Sequence, residues 1–100
     1  MSITAGHFRL TEDQKQFKKL LSNYPTLLPY WDFATRELRL EEFEKKLGAL
    51  SHGEQIIGRF FAAVWLGEDQ FRFDFIEAAK SLNDGDRAII VSWLADPFFP

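Results

Sequence analysis

SHGEQIIGRFFAAVWLG, residues 51–67, is the stretch on which the fold turns. Ser51 can accept the N–H of the third residue after it, and Glu54 can reach back to the N–H of the cap; this pattern starts a helix. Ile56, Phe60 and Val64 form one row along it, Ile57, Phe61 and Trp65 the next, and Ala62, Ala63 and Leu66 make the far side apolar too. A helix that is apolar nearly all round belongs at the centre of a core. Gly58, with no side chain, lets a neighbouring helix come close, although glycine costs about 1 kcal/mol in helix propensity. Gly67 stops the helix, because glycine enters the left-handed region without strain.

Downstream, Phe71, Phe73 and Phe75 alternate with polar residues, too briefly for more than an extended lead-in. Asp74 with Glu77 reads as the start of a fourth helix, ending at Leu82 and burying Ile76, Ala79 and Leu82. Asn83 with Asp86 repeats the device for a fifth helix, with Ile89 and Trp93 on one row and Ile90 and Leu94 on the next, closed by Pro97. Upstream, Leu40, Phe43, Leu47 and Leu50 mark a second helix whose outer face carries the i,i+4 pairs Glu41–Lys45 and Glu42–Lys46. Thr11 with Gln14 starts the first helix, with Phe17, Leu20, Leu21 and Tyr24 inside and Lys15, Lys18 and Lys19 outside, and Pro25 ends it. Residues 26–36 show no clean period and read as an irregular or single-turn connector whose aromatics plug the core. Residues 1–10 read as a loose arm.

Placing Leu38 to Glu44 above Phe71 to Glu77, and Ser51 to Glu54 above Asn83 to Asp86, gives the same order of lead-in, helix, capped turn and helix twice. Either the chain holds two stacked helical hairpins from an internal duplication, or two unrelated hairpins share their capping chemistry. The expected fold class is all-α: one domain over residues 1–100, a bundle of about five short helices around a buried central one.

Composition limits function. One hundred residues form a single core without a staple. Eleven Phe, three Trp and two Tyr supply more ring area than one small core readily hides, and aromatic side chains anchor protein interfaces. With no cysteine, disulfides, thiolate zinc sites and cysteine nucleophiles are excluded. The longest apolar run, Phe60 to Leu66, is far short of the ~18–20 residues that span a bilayer, and without a positively charged stretch, apolar run and cleavage site among the first residues no cleaved leader is expected. A soluble cytoplasmic protein is expected. Residues 1–50 carry eight Lys/Arg against seven Asp/Glu, and residues 51–100 carry four against eight. The clustered cations of a duplex binder are missing from this pattern.

With Gly85 as the sixth residue of a calcium loop, positions one, three and twelve fall on Lys80, Leu82 and Val91; with Leu38 as the eighth, Trp31 and Phe33 take positions one and three. Neither set ligates calcium. As a DNA-recognition helix, Arg87 to Leu94 presents core-like residues, and Asp84 and Asp86 before it repel phosphate. His7 sits in the arm; His52, at a helix start, has only Glu54 beside it, too few ligands for a metal. Asp84 and Asp86 suit the positive end of a helix without a catalytic role. No cofactor or small-molecule substrate is implied.

The chain ends Pro97-Phe98-Phe99-Pro100, two rings either folded back on the core or offered to a partner. From Ser51 onward, a Ser-x-Gly start, the Arg59-Phe60 pair, the Phe71-x-Phe73-Asp74 lead-in and the late Leu82-Asn83, where the group usually has Leu-Asp, resemble a group of small bacterial proteins carried on plasmids and integrated elements. That resemblance covers the C-terminal half; it implies a bacterial accessory protein and brings no activity with it. The expected function is a non-enzymatic interaction or regulatory module that binds a protein partner or a second copy of itself, not nucleic acid or membrane, through Tyr30, Trp31, Phe98 and Phe99. The alternative is an acidic decoy or inhibitor of a nucleic-acid-binding protein, which needs Glu68, Asp69, Asp74, Asp84 and Asp86 on one face.

Overall fold

Thr11 and Gln14 build the reciprocal cap expected of them. Thr11 Oγ1 accepts the Gln14 N–H at 3.1 Å, and Gln14 Oε1 accepts the Thr11 N–H at 3.0 Å. The structure, a computed structural model, describes residues 9–100; His7 and the arm as far as residue 8 lie outside the described residues. Helix α1, Glu12–Leu21, buries Phe17 and Leu21. It ends before Pro25 is reached, because Asn23 and Tyr24 already bond back three residues, to Leu20 and Leu21.

The connector is more ordered than its sequence shows. A single 3-10 turn, Leu28–Tyr30, leads into β1, Trp31–Asp32, which pairs antiparallel with β2, Glu37–Leu38, placing Trp31 opposite Leu38. The Asp32 carboxylate accepts the N–H groups of Ala34 and Thr35 at 3.0 and 3.2 Å, and Arg36 at φ 59° completes the reversal. Trp31 and Leu38 share one side of this ribbon, and both are buried.

Helix α2, Leu40–Ala49, buries Phe43 and Leu47, while Leu40 is exposed, being the first helical residue and below the core. Among the described residues neither Glu41–Lys45 nor Glu42–Lys46 closes as an ion pair. Helix α3, His52–Leu66, is the central element and packs against α2. Ser51 Oγ accepts the Glu54 N–H, but the Glu54 carboxylate turns to two hydroxyls, Ser51 at 3.0 Å and Thr26 at 2.7 Å, instead of the cap's own N–H. Those hydrogen bonds, Thr26 first, hold the Glu54 carboxyl below its usual range. Gly67, at φ 71°, returns its N–H to Ala63 and ends α3 as expected.

Helix α4, Phe75–Ser81, is capped by Asp74 and packs on α3; α5, Asp84–Ala95, is capped by Asn83. Their inner faces differ from the sequence reading. Leu82 is buried as expected, but Ala78 is buried in place of Ile76 and Ala79, and Ile76 is 65% exposed. On α5 only Ile90 is buried, with Ile89 and Trp93 half-buried and Val91 and Leu94 exposed. The core-like reading of α5 therefore holds for one edge of the helix only. The two lead-ins also diverge: residues 37–38 form a strand and residues 71–73 do not. The chain is thus all-α: the described residues form five helices, with one short hairpin between α1 and α2.

Trp31 carries an internal mismatch. Its Nε1–H is buried with no acceptor among the described residues, and such a donor forfeits its hydration. Trp31→Phe removes that cost while giving up part of the ring. Its net loss of stability should stay under about 1 kcal/mol by urea denaturation, because the desolvated N–H offsets the lost packing.

Candidate functional site

The four residues expected to form a binding surface fall into two separate environments. Tyr30 is half-buried with its ring against Phe43, at 6.3 Å between centroids. Trp31 is only 5% exposed and lies between Phe17 and Phe43, at 5.6 and 5.2 Å. The hairpin register turns it inward, so Trp31 is a core residue and offers no face to a partner. At the other end of the chain, the Phe98 carbonyl accepts Trp93 Nε1–H at 2.8 Å. That bond draws the tail back along α5 and leaves the Phe99 ring edge-on to Trp93 at 5.5 Å, 60% exposed.

Phe99 is one end of a chain of rings. Trp93 meets Phe60 at 5.6 Å, Phe60 meets Phe73 at 5.6 Å, and Phe73 meets Phe75 at 4.9 Å. The middle ring, Phe60, is buried in α3; the far end, Phe75, is 55% exposed. All five rings line one groove of about 330 Å³, walled on the α3 side by Ala63, Val64 and Gly67 and rimmed by Glu68 and Asp69. Most pairs in the chain are edge-to-face, the arrangement that ring quadrupoles favour.

Local chemistry sets each wall. Gly67 ends α3 in the left-handed region, and the Asp69 carboxylate accepts the Phe73 N–H at 2.6 Å, folding the turn beneath the groove. Arg72, at φ 60°, breaks the alternation of Phe71, Phe73 and Phe75. Phe71 therefore packs on Phe43 at 5.4 Å, whereas Phe73 packs on Phe60. Asp74 Oδ1 accepts the Ile76 and Glu77 N–H groups and fixes where Phe75 leaves the turn. Of these residues, the sequence places Phe99 on the expected binding surface and Glu68, Asp69 and Asp74 on the alternative acidic face. The three alternating phenylalanines were its one other signal.

Compared with protein-family models, curated proteins and solved structures, the chain matches none. What the site can do rests on its own geometry.

The titratable groups outside the groove act as struts. His52 Nε2 lies 2.5 Å from Glu77 Oε1, tying the first turn of α3 to α4, and Ser81 Oγ donates to the same oxygen at 3.2 Å. The His52 bond, with Ser81 second, keeps the Glu77 carboxyl below its usual range. Hydroxyl, carboxylate and imidazole are adjacent here, but the carboxylate stands between the other two. His52 is thus not placed to take the Ser81 proton, which nucleophilic activation requires. Among the described residues no group of three or more His, Asp or Glu is placed to hold a metal ion.

Asp84 and Asp86 point to different partners: Asp84 pairs with Arg87, and Asp86 accepts the Tyr24 hydroxyl at 2.5 Å. Burial, then the Asp86 bond, raises the Tyr24 pKa well above that of a free tyrosine. Tyr24→Phe should lower stability by about 1 kcal/mol, a modest figure because the pair is partly solvated. The sign with pH follows from the raised folded pKa. The contribution is complete below the unfolded value of about 10 and is lost as pH rises above it. The stability gap between wild type and Tyr24→Phe should therefore hold from neutral pH to about 10 and shrink beyond it.

Proposed function

We propose that the protein is a non-enzymatic interaction module of the bacterial cytoplasm, an accessory protein whose working surface is the ring-lined groove, where it receives an apolar side chain of a protein partner. The observation that carries this reading is the unbroken chain Phe75–Phe73–Phe60–Trp93–Phe99, its middle ring buried and both end rings more than half in water. A hollow lined by rings, with a fixed floor and open ends, is how interfaces accept an anchoring side chain. Rings left half-wet are otherwise a liability for solubility. Phe98 serves by holding the tail through its carbonyl, and Tyr30 and Trp31 serve the core.

The acidic-decoy reading gains little from the carboxylate positions. Asp74 is spent on the α4 cap, Asp84 on Arg87 and Asp86 on Tyr24. Asp86 also sits at the opposite end of α5 from Trp93, about 10 Å along the axis, in a separate hollow with Asn23 and Tyr24.

The test is a pull-down from native lysate with the full chain and with Phe75→Ser/Phe99→Ser. Both rings are largely exposed, so the double variant should keep its thermal midpoint. It should lose a stoichiometric partner, an affinity drop of about 30-fold or more for an interface anchor. Val91→Ser, at a site 63% exposed outside the groove, should leave capture unchanged. Equal recovery by wild type and the double variant would remove the groove from consideration.

A further inference from the structure

The rim of the groove has a sign. Helices α1, α2 and α4 each carry lysine in the last turn, at Lys18 and Lys19, Lys46 and Lys80, where a cation offsets the partial negative charge of the helix end. Helices α3 and α5 carry none, and at the end of α3, beside the groove, Gly67 is followed by Glu68 and Asp69, which add negative charge to an already negative end. Among the described residues Glu68 makes no hydrogen bond or ion pair, and Asp69 bonds only the Phe73 N–H. The groove lining includes no cation, and the nearest arginine in sequence, Arg72, lines a different hollow with Arg59 and Glu44. Five rings, with the Glu68 carboxylate and the Asp69 carboxylate that holds one backbone N–H at a helix C-terminus, together form an apolar floor under a negative rim.

Resting on the interaction-module reading above, we infer that the groove's occupant is a basic segment of a partner protein. One large apolar side chain lies among Phe60, Phe73 and Trp93, and a Lys or Arg close to it in sequence meets Glu68 and Asp69. Ring faces attract cations as the carboxylates do, and the fold already places Lys18 Nζ over the Phe33 ring, 5.3 Å from its centroid. A neutral apolar segment would leave the rim uncompensated, and an acidic one would be repelled by it.

A display library of random peptides of about twelve residues, long enough for one helix face or extended strand, is selected on the full-length protein. Enriched sequences are synthesised and their binding is measured by fluorescence polarisation. The expected consensus joins a large apolar residue to a Lys or Arg within about four positions, the reach of one helical turn. Glu68→Gln/Asp69→Asn, in which the new amide oxygen still accepts the Phe73 N–H, should weaken binding about fivefold at low salt. That difference should narrow as salt screens the rim. Phe75→Ser/Phe99→Ser should abolish binding.

Peptides that need Phe75 and Phe99 but contain no basic residue, and that ignore the rim variant, would overturn the inference and leave the groove reading standing. Peptides indifferent to Phe75 and Phe99 would overturn both. A library that enriches nothing also overturns the inference. So does sedimentation showing a concentration-dependent dimer dissociated by Phe75→Ser/Phe99→Ser, since the occupant would then be a second copy.

Discussion

Phe17→Ala should lower the unfolding free energy by about 4 kcal/mol, the upper range for removing a buried ring. Phe17 is fully enclosed and touches four other rings: Trp65 at 5.2 Å, Phe61 at 5.5 Å, Trp31 at 5.6 Å and Phe33 at 6.4 Å. Those partners come from α3 and from the hairpin region, so one side chain joins α1 to both. Truncation loses the transfer free energy of the ring, leaves a cavity that rigid neighbours fill poorly, and forfeits aromatic pairings of about 0.5–1.5 kcal/mol each. Domains of this size are stable by about 5–15 kcal/mol, so the variant gives up a quarter or more of the total. In urea the midpoint should fall sharply with the slope unchanged, and the thermal midpoint should drop by about 20 °C. Leu40→Ala is the matched control, because Leu40 lies on an equally clear apolar stripe but is exposed. It should move stability by less than about 0.5 kcal/mol. A similar loss for both variants would show that this ring cluster is not the centre of the core.

The contrast between Phe17 and Leu40 shows what apolar spacing conveys. Periodicity identifies α3 as central because nearly every direction around it is apolar, so no choice of face is needed. It serves α1 well because charged residues mark the outside. On α5 it serves poorly: residues 88–91 and 93–95 are all apolar, several stripes are equally greasy, and only the neighbouring elements decide that Ile90 goes in while Val91 and Leu94 stay out. Caps were legible because they are local chemistry, as at Thr11, Ser51, Asp74 and Asn83. The exception, Glu54, shows the limit of local reading: a hydroxyl 28 residues away, Thr26, competes for the carboxylate and draws it from the cap's N–H. The hairpin was hidden for a related reason. Its reversal rests on Asp32 and on a left-handed arginine, Arg36, and arginine does not announce positive φ as glycine does.

The groove was the least legible part, because no motif spells it. Its rings come from the middle of α3, the lead-in and first residue of α4, the last turns of α5 and the tail, and they become one surface only where Phe60 of α3 meets Trp93 of α5. Trp93 also explains why Phe98 and Phe99 play different parts despite being adjacent. The Phe98 carbonyl is fixed by the indole N–H, and that fixed point sets the Phe99 ring at the groove's open end.

Gly58→Val should destabilise the protein by about 3 kcal/mol, although any other residue except proline is a better helix former than glycine by up to about 1 kcal/mol. A Cβ at Gly58 would stand 2.9 Å from Leu47 Cδ2, 3.4 Å from Leu27 Cδ2 and 3.6 Å from the Phe43 ring. All three neighbours are buried, and Leu27 and Phe43 have no exposed surface. Leu47 alone has an end that could swing aside, and a buried leucine leaves its rotamer well only at a cost of about 1 kcal/mol. Gly58→Ala should therefore lose about 1 kcal/mol net, the clash exceeding the propensity gain, and Val adds two methyl groups where no room remains. A double-mutant cycle separates this from a general intolerance of α3. Leu47→Ala alone opens a cavity and costs about 3 kcal/mol, but it also vacates the space that the new side chain needs. Leu47→Ala/Gly58→Val should then be more stable than the sum of the two losses by about 1 kcal/mol or more. Strict additivity would mean that α2 does not approach α3 through Gly58, and the central packing of the bundle would have to be drawn differently.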